Sequence, residues 1–347
     1  MLYNFKSQAI VAKARAIYGR RLTEDDYKQL VMKTSVSEVC AYLKNTDRYS
    51  KILSSVNERT VHRGQVENLI RRNNFRIYEK LYVYDNKSND DFYTYYLQKV
   101  QIKEILNAIM FINAGKDDDY ITSFPAFLMA HSEIDLIKLA KANTFDELLG
   151  VIKNTRYYKV LKPFAKNGST KVDFLACEKA LYTDYYKNLL EVIQKSYGKK
   201  TAAELRQAIL MKVDLYNIMA AFRMRVMFNI EPEKIISAMI PIKNKVSKKQ
   251  MDELLELKTA KEMAEQMPAL AYFKDIPQIH SGSIEASVRI TRGKAFGHLL
   301  RKSASAPVIV YALLELLETE TQNVTTIIEG VRYSITPDEI EQMIVTF

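Results

Sequence analysis

LKNTDRYSKIL occupies Leu43 to Leu53, and IKNTRYYKVLK occupies Ile152 to Lys162. A phrase written twice asks whether the whole chain repeats, a question that precedes any motif search because a missed repeat mistakes the fold. Residues 22–53 shifted by 109 fall on residues 131–162, and a shift of 224 brings in a third, more diverged copy at residues 246–277.

Each copy opens on a hydroxyl residue followed by a side chain able to reach back to it: Thr23 with Asp26, Ser132 with Asp135, Ser247 with Gln250. This is the capping-box arrangement, in which two backbone donors at a helix start are satisfied reciprocally. Apolar residues then recur at helical spacing at Tyr27, Leu30 and Val31, at Leu136, Leu139 and Ala140, and at Met251, Leu254 and Leu255. A second cap follows at Ser35, Thr144 and Thr259, each with a glutamate three residues on, at Glu38, Glu147 and Glu262. The pattern predicts a short helical hairpin at the head of each copy.

A second set of landmarks keeps nearly the same period. KEILNAIM, VDLYNIMA and ETQNVTTI align on Asn107, Asn217 and Asn323, each preceded three residues earlier by an acid, at Glu104, Asp214 and Glu320. Pro232 and Pro337 read as first-turn prolines of later helices. Glycine and proline make up 10 and 8 of the 347 residues, about half their usual joint share, which favours long helices. The expected fold is all-α: an N-terminal helix around Ser7 to Arg20, then units of about 110 residues over residues 18–126, 127–241 and 242–347, the first domain counted from residue 1 with that helix included. KLYVYD at Lys80 to Asp85 is the short strand-like exception, and residues 85–91, 166–170 and 278–283 are loop candidates.

Composition narrows the function. With 48% hydrophobic residues the chain can bury substantial cores. No apolar run reaches bilayer length, and the N-terminus lacks signal-peptide architecture, so a cytoplasmic, soluble chain is expected. Cys40 and Cys177 sit in helical patterns away from other ligands and are expected to be buried thiols, with no metal and no cofactor. The net charge of +10 is dispersed between acidic clusters, as on solvated helix faces.

Catalytic patterns are not found. His62, His131, His280 and His298 stand in no nucleophile motif. GKKT at Gly198 to Thr201 has Ile193 where a phosphate loop needs glycine, and reads instead as a helix C-terminus with Gly198 in the left-handed turn. Asp117 to Asp119 lack the alternating spacing of a calcium loop. Tyr95, Tyr96, Tyr185 and Tyr186 could stack bases, but their place within apolar helices favours core packing.

AKARAIYGRRLT at Ala12 to Thr23, DLYNIMAAFRMR at Asp214 to Arg225, and the segment from Pro307 to Ile344 together resemble the C/d subunit family of the V-type and A-type rotary ATPases (ATP synthases), over essentially the full length. The resemblance implies a funnel of three similar helical bundles with pseudo-threefold symmetry. It implies a non-catalytic central-rotor adapter that couples the central stalk to the membrane rotor ring, peripheral on the cytoplasmic face, and present as a monomer within the hetero-oligomeric complex. Asp214 and Arg223 keep a family-like acid and arginine pair, which becomes Glu104 with Asn113 and Glu320 with Glu329 in the other copies. Arg71, Arg72, Arg223 and Arg225 are the candidate partner-interface residues. The competing reading is a basic helical-repeat scaffold that binds nucleic acid or other proteins.

Overall fold

The computed structural model describes residues 2–58, 60–85, 91–115, 126–165, 171–276 and 279–346. Among these residues the regular structure is helical throughout, without a strand. In chain order the α-helices are α1 (Leu2–Gly19), α2 (Glu24–Val31), α3 (Val36–Lys44), α4 (Ser50–Leu53), α5 (Arg63–Asp85), α6 (Tyr95–Ala114), α7 (Ala126–His131), α8 (Leu136–Ala140), α9 (Phe145–Val151), α10 (Arg156–Leu161), α11 (Phe174–Ser196), α12 (Lys199–Ala221), α13 (Pro232–Ala238), α14 (Lys248–Glu256), α15 (Ala260–Gln266), α16 (Ile284–Lys302), α17 (Ala306–Arg332) and α18 (Pro337–Met343).

The predicted caps form the hairpins. Thr23 and Asp26 close a capping box on α2, and Ser247 exchanges bonds with Gln250 ahead of α14. The second caps follow one rule in all copies: the hydroxyls of Ser35, Thr144 and Thr259 accept the amides of Glu38, Glu147 and Glu262, whose carboxylates reach back to the amides of Thr34, Asn143 and Lys258. The middle copy departs at its first cap. Asp135, not Ser132, caps α8 by accepting the Lys138 amide, while the Ser132 hydroxyl is turned onto Ile134. Asp135 is itself a good cap residue.

Two expectations are corrected. KLYVYD is the end of α5, because the apolar stripe that decides its state is longer than the hexamer: Ile70, Ile77, Tyr78 and Leu81 are buried at helical spacing while Val83 is exposed. Gly198 has φ −62° and caps the start of α12, since α11 closes two residues earlier in an extended Tyr197. Of the loop candidates, residues 86–90, 166–170 and 278 lie outside the described residues, as does Asp117 to Tyr120, and Ser281–Ser283 is a 3-10 turn.

The chain divides into two compact units, residues 1–88 with 257–347, and residues 89–256. In the first, α17 packs against α1, α5 and α16 and is buried on nearly every side, as its almost continuous apolar sequence requires. The α2/α3 hairpin lies against α17, with Leu30, Leu43, Tyr49 and Leu53 sharing a core with Val324, Ile327 and Ile328. In the second unit α11 packs on α6 and α12, α8 and α9 pack on α6, and α14 packs on α12. These units group the chain differently from the sequence repeat because each hairpin lies on the Asn-bearing helix of another copy: the second on α6, the third, through α14, on α12, and the first on α17.

Candidate functional site

In the second and third of the aligned segments the acids and asparagines are buried anchors, whereas Glu104 and Asn107 are half-buried and Asn107 Nδ2 donates to Glu104. Asn323 on α17 clasps Val345 with both ends of its amide, Nδ2 donating to the carbonyl and Oδ1 accepting the N–H, and Asn217 on α12 does the same to Ile240. In each case the clasped residue lies just beyond a short proline-initiated helix, α18 or α13, which is thereby tied back to the long helix. The acids one turn earlier hold the approach to a hairpin: Glu320 accepts the Leu22 amide ahead of α2, and Asp214 accepts the amides of Lys245 and Val246 ahead of α14. A buried carboxylate is tolerated because such donors satisfy it.

Glu320 carries most. Its Oε1 accepts the Tyr49 hydroxyl at 2.7 Å and Arg48 Nε at 3.0 Å. Burial and the carboxylate together hold the Tyr49 phenol well above its ordinary value, so it stays a donor. The opening phrase of the sequence thus has a physical role, and its second copy repeats it with altered partners: the Tyr157 hydroxyl donates to Gln101 and Arg156 pairs with Asp184. The match holds once one residue is deleted after Thr46, which sets Arg48 against Arg156 and Tyr49 against Tyr157. A cleft of about 260 Å³ is lined by Glu320, Tyr18, Tyr27 and Asn323 among others.

Between each Asn-bearing helix and its short helix comes a sharp turn. Asn229 (φ 49°) and Ser334 (φ 56°) are the non-glycine residues of positive φ among the described residues, and each follows a large exposed aromatic, Phe228 (69% exposed) or Tyr333 (66%). The turns differ by one residue: Pro232 follows Asn217 by 15 positions and Pro337 follows Asn323 by 14. The extra residue is absorbed as a π-helical stretch, Phe222–Met227, where α17 stays α-helical to Arg332. Accordingly Ile230 N–H reaches back to the Met224 carbonyl, and Ile335 N–H to that of Gly330. A Cβ at Gly330 would stand 2.6 Å from Cγ1 of Ile340; at the matching position the wider π turn carries Met224, which packs beside Ile235.

The structure separates the candidate arginines. Arg71 is exposed on α5 with Nη2 3.9 Å from Glu67, and Arg72 is half-buried on the same helix. Arg223 is exposed in the π turn, whereas Arg225 is buried there, with Nη1 donating to the Ile230 carbonyl. At the positions equivalent to Arg223, Glu329 pairs with Arg63 at 2.6 Å and Asn113 clasps Val172. Tyr95, Tyr185 and Tyr186 are buried in ring clusters, so they pack the core. The four histidines are exposed. Cys40 and Cys177 are buried free thiols, and burial pushes the latter up to about 12. Among the described residues no group of His, Cys, Asp and Glu could hold a metal ion, and no helix is long and apolar enough to cross a membrane. The exposed aromatics and the π turn escape sequence motifs. Their signal is the contrast between the 15- and 14-residue Asn-to-Pro spacings.

A family model described as ATP synthase (C/AC39) subunit matches residues 10–343. The C subunit of the A-type ATP synthase of Thermococcus kodakarensis is 25% identical over 66% of this chain and 60% of its own length, and that of Methanosarcina mazei 23% over 66% and 62%. These matches span about three fifths of the two relatives. The protein of the same name from Pyrococcus abyssi is 22% identical over 96% of this chain and 88% of its own.

Proposed function

The chain belongs to the ATP synthase (C/AC39) subunit family, and from that membership we propose that it is a non-catalytic central-rotor adapter of an A-type or V-type ATPase, joining the central stalk to the membrane rotor ring. The observation that carries this reading is the family match from residue 10 to residue 343, a span that includes both sets of repeat landmarks. The protein would then lie peripherally at the cytoplasmic face, as one copy within the complex.

The proposed body is a funnel of three repeats, residues 1–126, 127–241 and 242–347, about a pseudo-threefold axis. Supporting it is the order in which hairpins meet helices: the second lies on α6 and the third, through α14 alone, on α12, each the Asn-bearing helix preceding it in the chain, and the first lies on α17, the last of the set. A cyclic order of this kind is what ring closure needs. Torque transfer asks for stiffness, and close-packed helices tied by buried clasps supply it. Arg71, Arg72 and Arg223 are proposed to meet acidic groups of the stalk, with Arg225 bracing the turn that carries Arg223.

Affinity purification of the tagged full-length chain from gently solubilised membranes, followed by mass spectrometry, tests the reading. Recovery of ring and stalk subunits is expected. Their absence, with the chain instead bound to nucleic acid in a steeply salt-dependent manner, would sink it.

A further inference from the structure

The cleft of about 260 Å³ lies within the first compact unit, at the corner where α1 gives way to α2 beside α17. Tyr18, Tyr27, Leu316 and Val345 line it and are buried, whereas Arg21 and Glu24 line it and are exposed. Its volume is about that of nine water molecules in the liquid, room for a small organic group. Two bonds already described fix its sides: the clasp of Asn323 on Val345, and the Leu22 amide on Glu320.

The lining asks for a donor. An ionised carboxylate offers about four acceptor sites, and among the described residues Glu320 has three filled: Oε1 takes Arg48 Nε and the Tyr49 hydroxyl, and Oε2 takes the Leu22 amide. The fourth, on Oε2, is open. Tyr18 is 7% exposed, and its hydroxyl is buried with no hydrogen-bond partner among the described residues. The lining also favours positive charge. Burial first, and the Glu320 carboxylate second, push the Tyr27 phenol well above its ordinary value, and the opposing effect of Arg48 is smaller. Glu24 adds a second carboxylate, shared with Lys28 at 3.2 Å. Aromatic faces attract cations, and the chain itself uses one: the Arg21 guanidinium lies 4.4 Å from the centre of the Tyr18 ring.

We infer that this cleft binds a primary alkylammonium group, with Arg21 competing for the face of Tyr18. The ammonium answers the open site on Glu320 and the negative field, and a short alkyl stem covers Leu316, Leu317 and Val345. An anion would meet Arg21 but also two carboxylates, and a neutral alkyl chain would leave the Oε2 site unanswered. The ammonium comes from a free amine or from a lysine side chain of a partner protein, which present the same head on the same kind of stem.

Isothermal titration calorimetry of the full-length chain with n-butylammonium chloride, and with sodium butyrate as an anion of matching size, tests this. Saturable binding of the cation is expected, in the millimolar range suited to so few atoms, with none of the anion. Arg21→Ala should tighten n-butylammonium binding about two- to fivefold, because an exposed cation–π contact no longer competes for Tyr18. Glu24→Gln should weaken it by up to about fivefold. Both residues are exposed, so the urea midpoint of each variant should stay at the wild-type value. Acetyl-lysine methylamide separates the two sources: binding at least as tight as that of n-butylammonium assigns the cleft to a partner's lysine, weaker binding assigns it to a free amine, and either supports the inference. Equal responses to cation and anion, no saturable heat, or binding that neither substitution changes would overturn it.

Discussion

The hydroxyl of Tyr49 donates to the Glu320 carboxylate at 2.7 Å across 271 residues of sequence. Arg48 reaches the same oxygen, and the Leu22 amide takes the other. One buried acid thus fixes the first hairpin on the last long helix.

Removing that acid should be severe. Glu320→Ala leaves the buried Arg48 guanidinium without its carboxylate, and a loss of about 3–5 kcal/mol is expected, read as a lower urea midpoint. Tyr49→Phe alone should cost about 1–2 kcal/mol. In a double-mutant cycle the two should be clearly less than additive, because they share one interaction.

The asparagine clasps should be independent of each other. Asn217→Ala and Asn323→Ala each strand a buried N–H and C=O, at about 2–4 kcal/mol apiece. Since one clasp lies in each compact unit, hydrogen exchange should rise at the Ile240 amide in the first variant and at the Val345 amide in the second, without crossing over.

Gly330→Ala sets a methyl group 2.6 Å from Ile340 Cγ1. Displacing α18 to relieve it should cost about 1–3 kcal/mol. Ile340→Ala removes the clashing atoms, so the double variant should be little less stable than Ile340→Ala alone, as measured by thermal unfolding.

Ser334→Gly should stabilise the chain by about 0.5–1 kcal/mol, since glycine takes the left-handed conformation without the Cβ penalty. Asn229→Gly should gain less, because asparagine tolerates that region better than serine does. Calorimetric melting temperatures would check the order.

Acid should weaken the capped starts of α3, α15 and α18. Hydrogen bonds from the Thr34 amide to Glu38, from the Lys258 amide to Glu262 and from the Thr336 hydroxyl to Glu339 hold these carboxyls below their ordinary value of 4.5. A folded-state value below the unfolded one gives stability that is full above about pH 5 and is lost as pH falls through the folded values. Replacing all three by Gln should flatten the dependence of the urea midpoint on pH between about 5 and 3.

How much of this is legible in the sequence divides by range. The caps at Ser35, Thr144 and Thr259 can be read because a cap involves residues three or four apart. The first cap of the middle copy falls three residues from its expected place because Ser132 and Asp135 can both begin a helix, and only the contact of Ser132 with Ile134 decides between them. The strand-like look of KLYVYD comes from too short a window, and Gly198 belongs to the other helix end from the one expected because glycine serves both. Of the candidate arginines, burial sets Arg225 apart from exposed Arg223, a distinction that two positions of similar composition do not carry.

Sequence by itself determined the all-helical class and the places of the hairpins, because periodicity and capping are local, and it pointed to Asp214, Asn217, Glu320 and Asn323 by their common spacing. Tertiary structure decided what each anchor holds. Glu320 is matched to Tyr49, Asn323 to Val345 and Gly330 to Ile340 by packing between helices, and nothing along the chain encodes which surface a buried donor will face. It also decided that an inserted residue would widen one helix end into a π turn, since that outcome depends on the clasped short helix refusing to move.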